Sequence, residues 1–420
     1  MAELVPRMQQ RLLEELASAL RVVIVNGPRQ SGKTTLLRQY QQARGGTYRT
    51  LDDRQAQETA HADPITFARH GDPPRLIDEV HRGGDVLVRA IKMEVDDDPA
   101  PGQFILSGSS RFLTVPTLSE SLAGRAVFID LWPLSIAERT DGPTDFINRV
   151  FADPAALPAA DSPWTREAYI DVIAAGGFPE ALTLTSATAR KAWYDGYLTT
   201  VVNRDISDFA EIDKAYAIPR LLGLAAARSG SPLVLADIAR SADLTRVTAR
   251  NYLTYLDIVF LTTEVPAWST NFTSKISKAS KLYVTDSGLA AHLLQATPQA
   301  LRSPGHPALG MLVETFVLTE LMKLLPLADT AVSIWHFRER DGREIDFILE
   351  GPQGQIVALE VKATSSPGRD TVRHLVWLKE RLGSRLTAGI VLHLGPHGSS
   401  YGDGIYALPV STLWGHSTLP

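Results

Sequence analysis

The chain contains no cysteine, which excludes disulfides, thiolate zinc sites and a cysteine nucleophile. No apolar run approaches the roughly 18 residues that a membrane-spanning helix needs. The first residues, Met1–Leu16, are amphipathic and charged and lack the apolar centre of a secretory signal. From these absences we expect a cytoplasmic protein without a membrane partner. A basic excess is also missing. Lys and Arg number 42 against 47 Asp and Glu, a net charge of −5. No global field therefore draws the chain onto nucleic acid, and any DNA contact has to come from local patches. No repeat period or low-complexity tract is visible. What remains is ordinary for a folded chain: 420 residues, 44% hydrophobic and 21% charged. That is enough apolar surface to exclude disorder as the main state, over roughly two to four domains.

The pattern changes twice along the chain. Arg7–Leu20 has apolar residues at helical spacing, and Val22–Val25 is a short apolar run that reads as a buried strand. Tyr48–Leu51, Leu76–Asp78, Phe104–Leu106 and Ala126–Leu131 read as further strands, most of them separated by helical stretches. Such alternation predicts an α/β unit with a parallel, doubly wound sheet. Pro143–Pro163 is rich in Pro, Ala and Asp and reads as a linker, after which helical patterns dominate from Thr165 to about Phe260. From about Gly310 a second α/β unit is expected. It has helices at Met311–Leu325 and Thr371–Leu382, and strands at Val332–Phe337, Glu344–Leu349, Ile356–Val361 and Ala388–Leu394.

The segment Gly27-Pro28-Arg29-Gln30-Ser31-Gly32-Lys33-Thr34 fits G-x-x-x-x-G-K-[ST] without a gap, between a strand and a helix that opens with Thr35. Glycines let backbone N–H groups turn inward around phosphates, and the following helix offers its positive end. In this pattern Lys33 reaches the β- and γ-phosphates and the Thr34 hydroxyl binds magnesium. These residues are the expected ATP and Mg²⁺ cradle. Downstream, Leu76-Ile-Asp78-Glu79 is an apolar strand ending in two acids. Asp78 would complete the magnesium shell and Glu79 would act as general base on water. Ser107 and Ser109, at the end of the next strand, are candidates to sense the γ-phosphate or the water. Arg125, just before another strand, is a candidate cation for the γ-phosphate, in its own chain or a neighbour's.

Together Gly27–Thr34, Leu76–Glu79, Leu106-Ser-Gly-Ser109, Ser121-Leu-Ala-Gly-Arg125 and Trp132-Pro-Leu-Ser resemble an AAA-type P-loop ATPase, of the kind joined to a C-terminal domain of unknown function. The resemblance continues through Gly176-Gly-Phe-Pro-Glu180, Tyr197, Arg204-Asp205, Lys281-Leu-Tyr-Val-Thr-Asp286-Ser-Gly288 and Val313-Glu314. It implies an AAA-like core with five parallel strands, Mg-ATP, and a homo-oligomer as a partner state. One departure is His81, which stands where many such ATPases carry glutamine.

Two further segments bear on function. Leu233–Leu256 has the look of a helix–turn–helix: a first helix at Leu235–Ser241, a turn at Ala242–Leu244 and a second helix capped by Thr245. Val247, Tyr252, Leu253 and Leu256 are its buried candidates, and Arg246, Arg250 and Asn251 its exposed ones. Ile258-Val-Phe-Leu and Lys281-Leu-Tyr-Val would form a wing. Six basic against four acidic residues between Ser231 and Leu282 leave DNA contact and a packing role equally open. Lys275, Lys278 and Lys281 read either as a phosphate-tracking loop or as solvated. Further on, Glu344-Ile-Asp346 and Glu360-Val-Lys362, with Glu314 upstream, resemble the D…E-x-K set of the restriction-endonuclease-like fold. By that resemblance Glu314, Asp346 and Glu360 hold metal, and Lys362 orients the attacking water. The alternative is a Glu360–Lys362 ion pair without chemistry. The expected organisation is an ATPase core (1–140), a helical lid (141–225), a winged-helix-like segment (226–296) and a nuclease-like α/β domain (297–420). We expect an ATP hydrolase that acts on DNA, or a regulatory ATPase that binds DNA or protein without cleavage.

Overall fold

The computed structural model describes residues 5–111, 122–159, 161–207, 214, 216–269, 279–339 and 341–419. Lys275 and Lys278 lie outside them.

The first unit is built on five parallel strands: β1 (Val22–Asn26), β2 (Thr47–Thr50), β3 (Arg75–Asp78), β4 (Phe104–Gly108) and β5 (Ala126–Asp130), in the order β2-β3-β4-β1-β5. β1 lies inside the sheet, between β4 and β5, and is buried throughout. Successive strand side chains face opposite sides. Val22 and Ile24 pack on one side with Leu87, Val88 and Ile91 of the helix Gly84–Asp97. Val23 and Val25 pack on the other with Leu13 of α1 (Gln9–Ala19) and Leu36 and Leu37 of α2 (Lys33–Arg44). The mixed α/β reading with a parallel-sheet core holds.

The stretch read as a linker is structured. Phe146–Ala152 is a helix that buries Phe146, Ile147 and Val150, and Pro154–Ala159 forms a 3-10 turn. The Pro and Ala content concealed an apolar face of only three residues. The helices Arg166–Ala175, Pro179–Thr183 and Ala187–Thr200 follow, the last running into a π-helical turn at Val201–Asp205. The middle of the chain holds the helices Ala217–Ala227, Leu235–Ala242 and Arg246–Ile258, with a sheet ordered β6-β8-β7. Its antiparallel strands are β6 (Ser231–Pro232), β7 (Thr262–Val265) and β8 (Lys281–Val284). The wing therefore begins at Thr262, because the second helix runs through Ile258. Val247, expected inside, is 71% exposed, while Tyr252, Leu253 and Leu256 are buried. Thr245 caps the second helix by accepting from Thr248 N at 3.1 Å.

The last unit is a six-stranded mixed sheet, with β9 (Ser333–Arg338), β10 (Glu344–Glu350), β11 (Ile356–Lys362), β12 (Leu386–His393), β13 (Ser399–Gly402) and β14 (Ile405–Pro409) in the order β13-β14-β12-β11-β10-β9. The two strands past β12 escaped the sequence reading: β13 is short, polar and mostly exposed, and β14 is a five-residue buried run closed by Pro409. The helix Pro307–Leu324 covers one face and Arg373–Leu382 the other. Pro307–Leu324 is buried nearly all round, and its Glu320 and Lys323 reach back to Ile136 N and Leu134 O. One continuous apolar cluster runs from Ile136 to Trp414, so the helical middle and one face of the last sheet share a core, while the face under Arg373–Leu382 has its own.

Candidate active site

The phosphate loop leaves the C-terminal end of β1 and enters α2 at Lys33. Its shape is imposed by close approach. A side chain at Gly27 would meet Leu131 O at 2.2 Å, and Gly32 sits at φ 101°, in the left-handed region. Arg7 braces the loop from outside. Its guanidinium donates to Ser31 O at 2.5 Å, Trp132 O at 2.7 Å and Glu138 Oε1 at 2.7 Å. Nothing local in the sequence marks Arg7, because its acceptors come from segments up to 131 residues away.

Lys33 is buried, and its Nζ donates to Gly27 O and Pro28 O, both at 2.9 Å. Burial lowers its pKa, with the Glu79 and Asp78 carboxylates acting in the opposite direction. Thr34 Oγ1 donates to Asp78 Oδ2 at 2.7 Å. The same oxygen accepts from the Tyr48 hydroxyl at 2.9 Å, and Asp78 Oδ1 accepts from Ser107 Oγ. Burial and the Asp78 charge push Tyr48 up to about 12. Ser107, rather than Ser109, is thus the serine in contact with the acid pair, and Ser107 Oγ also accepts from Glu79 N at 3.3 Å. Ser109 is buried beyond the end of β4 and does not line the cleft.

Glu79 adopts φ 55°, ψ 45°, an unusual left-handed conformation for a non-glycine residue. Such outliers persist where the surroundings over-determine them, often at functional sites. Its Oε2 stands 3.4 Å from His81 Nδ1. Glu79 lines a cleft of about 640 Å³ with Arg29, Gln30, Gly32, Lys33, Thr34 and Thr35 on one wall. Trp193, Gly196, Tyr197 and Thr200 of the helix Ala187–Thr200 form the opposite wall. A cleft of this size suits a nucleotide-sized ligand.

Arg125, expected at the γ-phosphate, lies away from the cleft. It stands just before Ala126, which pairs with Val22, whereas the loop follows Asn26, four residues along β1. That places it roughly 13 Å down the sheet at about 3.3 Å per residue. There it pairs with Asp96 at 2.5 and 3.0 Å. Arg125 does not reach the phosphate site of its own chain. The arginine that lines the cleft, beside Lys33, is Arg29, whose Nε donates to both carboxylate oxygens of Asp205 at 2.7 and 2.5 Å. Arg204 is exposed.

The glycine-containing strings at Gly176 and Asp286 meet in space. Buried Asp286 accepts from Gly177 N and Leu289 N, both at 2.8 Å, and a side chain at Gly288 would lie 2.6 Å from Gly176 N. The π-helical turn then carries Asp205 back to the loop.

The C-terminal acids come together differently from the expectation. Lys281, read as solvated or phosphate-tracking, is fully buried. Its Nζ lies 2.8 Å from Glu344, 3.0 Å from Glu314 and 3.4 Å from Asp346. Burial disfavours its charge, but the three carboxylates outweigh burial and raise its pKa. Tyr283 OH donates to Glu314 at 2.7 Å, and Val361 N donates to Asp346 at 2.8 Å. Burial, reinforced by Asp346, pushes Glu314 up to about 7. Glu360 pairs with Lys362 at 2.7 Å. Glu314 and Asp346 therefore share an ammonium. Among the described residues, no three His, Asp or Glu side chains stand together as a metal-holding group. Glu344 and Lys281 were both missed as members of this cluster.

Residues 20–140 match the family model described as AAA domain. An AAA-type P-loop domain forms the first unit. Residues 166–300 and 309–413 match two models described as domains of unknown function, DUF8612 and DUF4143. The chain is 28% identical over 393 residues to Rv2008c, an uncharacterized protein of Mycobacterium tuberculosis, covering 93% of this chain and 80% of that one. It is 23% identical over 354 residues to an uncharacterized protein of Haemophilus influenzae, covering 78% and 79%. Among solved structures, the Walker-type ATPase of Pyrococcus abyssi aligns with a TM-score of 0.45 and 15% identity, over 69% of this chain and 96% of that one. The RuvB Holliday junction branch migration motor of Thermotoga maritima aligns at 0.30 and 19%, over 62% and 90%. No helix among the described residues is long and apolar enough to cross a membrane.

Proposed function

We propose that the AAA-type unit hydrolyses ATP with Mg²⁺. The observation that carries this reading is the Thr34–Asp78 hydrogen bond at 2.7 Å beside buried Lys33, with Glu79 lining the same cleft. The donors offered by Thr34 and Asp78 are all oxygen, which suits a hard, small divalent cation. Bound there, magnesium would neutralise charge developing on the transferred phosphoryl group. Gly27–Thr35 would cradle the phosphates through backbone N–H groups, with Lys33 supplying a fixed cation. Glu79 would take a proton from the attacking water; its backbone N–H is held by Ser107 Oγ at 3.3 Å, and its Oε2 stands 3.4 Å from His81 Nδ1.

Downstream, we favour a regulatory ATPase whose C-terminal parts bind without cutting. Lys281 supports this, since its ammonium already neutralises Glu314 and Asp346. DNA contact through the exposed Arg246, Val247 and Asn251 of the second helix is the binding reading, and Arg250 there is paired with Glu264 at 2.6 Å. Assembly of several copies, with Arg125 or Arg204 offered to a neighbour, remains part of the proposal.

Phosphate release in Mg²⁺ and in EDTA tests the first reading. Wild type should turn over ATP only with the metal. Glu79→Gln should lose about 10²–10⁴-fold in rate, the range of a general base, while still binding nucleotide. Equal rates in the two proteins would sink the assignment.

A further inference from the structure

Three buried polar groups lining the cleft are left over once the loop, the acid pair and the lid have made their internal bonds: the acceptor Glu79 Oε2 and two donors, on Arg29 and Tyr197. Among the described residues, Arg29 Nη2 and the Tyr197 hydroxyl have no hydrogen-bond partner. Buried polar groups are nearly always paired, so orphans of this kind point to a ligand that completes them. Both residues line the same cleft, Arg29 from the phosphate loop and Tyr197 from the helix Ala187–Thr200. Each is also held rigidly. Arg29 is gripped through its Nε by Asp205, which leaves the two Nη groups uncommitted to that pair. The Tyr197 ring is clamped, stacked on Trp193 at 5.2 Å with 9° between planes and set against Phe178 at 4.9 Å. It is 6% exposed. A fixed donor at the end of a clamped ring is preorganised for one position of an acceptor.

The chemistry of the acceptor follows from the neighbours. Lys33 and the loop amides stand on the phosphate side, and Glu79, read above as the base for water, lines the cleft near Arg29. Tyr197 and Arg29 therefore bracket the region beside the water-activating group, where a terminal phosphate lies rather than a nucleobase. A guanidinium and a phenol are both donors, which fits an anionic oxygen.

We propose that the terminal phosphate of a nucleoside triphosphate is read across the cleft by Arg29 Nη2 and the Tyr197 hydroxyl, with Asp205 as the positioning residue that couples Arg29 to the lid. The inference rests on the phosphate-loop reading above. It assigns the cis cation to Arg29, inside the loop itself, and gives the lid a direct means of telling triphosphate from diphosphate. Since Tyr197 and Asp205 sit on one continuous helical stretch, contact with the third phosphate ties that stretch to the loop at two points.

The test is binding of ADP and of a non-hydrolysable ATP analogue, each with Mg²⁺, to the full chain by calorimetry. Tyr197→Phe keeps the ring and its stacking, so the fold is retained, and an unchanged thermal midpoint checks this. Wild type should prefer the triphosphate. Tyr197→Phe should lower triphosphate affinity about 5–30-fold, as expected for one hydrogen bond to a charged group, and leave ADP within about twofold. Arg29→Lys and Asp205→Asn should compress the triphosphate-to-diphosphate ratio in the same direction. If Tyr197→Phe and Arg29→Lys leave that ratio unchanged, or weaken both nucleotides equally, the proposal is overturned while the phosphate-loop reading stands. If wild type binds neither nucleotide, the phosphate-loop reading fails and the proposal with it.

Discussion

Replacing Lys281 with methionine removes one charge from a cluster that depends on it. The Lys281 side chain is 1% exposed and lies 2.8–3.4 Å from three carboxylates. Methionine occupies similar volume, so packing is largely kept and the loss is electrostatic. Removing one partner of a buried ion pair costs about 3–5 kcal/mol, because the remaining charges are left uncompensated. Unfolding entropy near 2.1 cal/mol/K per residue gives roughly 0.9 kcal/mol/K for a chain of this length unfolding as one unit. The thermal midpoint of Lys281→Met should therefore fall by roughly 3–6 °C. The loss should also depend on pH. Glu314 already titrates at about 7 when folded against an ordinary 4.5. The folded state thus holds a proton that the unfolded state has released between those values, and stability falls as pH rises through that window. Without the ammonium the carboxylates shift further up, so the window extends above 7. The gap between variant and wild type should widen from about pH 6 to about pH 8. Differential scanning calorimetry at the two pH values decides the matter. A gap below about 1 °C at the higher pH, or one that does not change with pH, would refute Lys281 as the compensating charge.

Lys33→Ala should leave a folded chain whose ATP turnover, followed by phosphate release, falls by about 10²–10³-fold, the loss expected for one preorganised stabilising group; undiminished turnover would point to hydrolysis elsewhere. Gly288→Ala places a methyl 2.5 Å from the Tyr194 hydroxyl and 2.6 Å from Gly176 N. Overpacking of this kind costs about 1–3 kcal/mol, which a lowered urea midpoint should report. Duplex, single-stranded and branched DNA incubated with Mg²⁺ or Mn²⁺ should remain uncut by wild type, with or without ATP; cleavage abolished by Asp346→Asn would overturn the non-cutting reading.

The phosphate loop was legible because its chemistry is local. Gly27 to Thr34 are consecutive, and the flanking strand and helix show in the apolar spacing. The acid pair after Ile77 was legible for the same reason. The Pro143–Pro163 stretch was not, since a short helix burying three residues shows little periodicity. Arg125 misled because it precedes its strand, whereas the phosphate loop follows β1 and so lies at the opposite end of the parallel sheet.

Local composition therefore determined the α/β core, the position of the nucleotide cleft and the order of strands and helices around it, because backbone periodicity and glycine freedom act over a few residues. Only the tertiary structure decided which charges meet. Arg7 reaches Ser31 and Glu138, Asp205 grips Arg29, and Lys281 enters the Glu314–Glu344–Asp346 cluster across gaps of 24 to 176 residues. A charge in a sequence carries no address for its partner. Burial makes an unpaired charge costly, and packing alone selects which opposite charge is within reach.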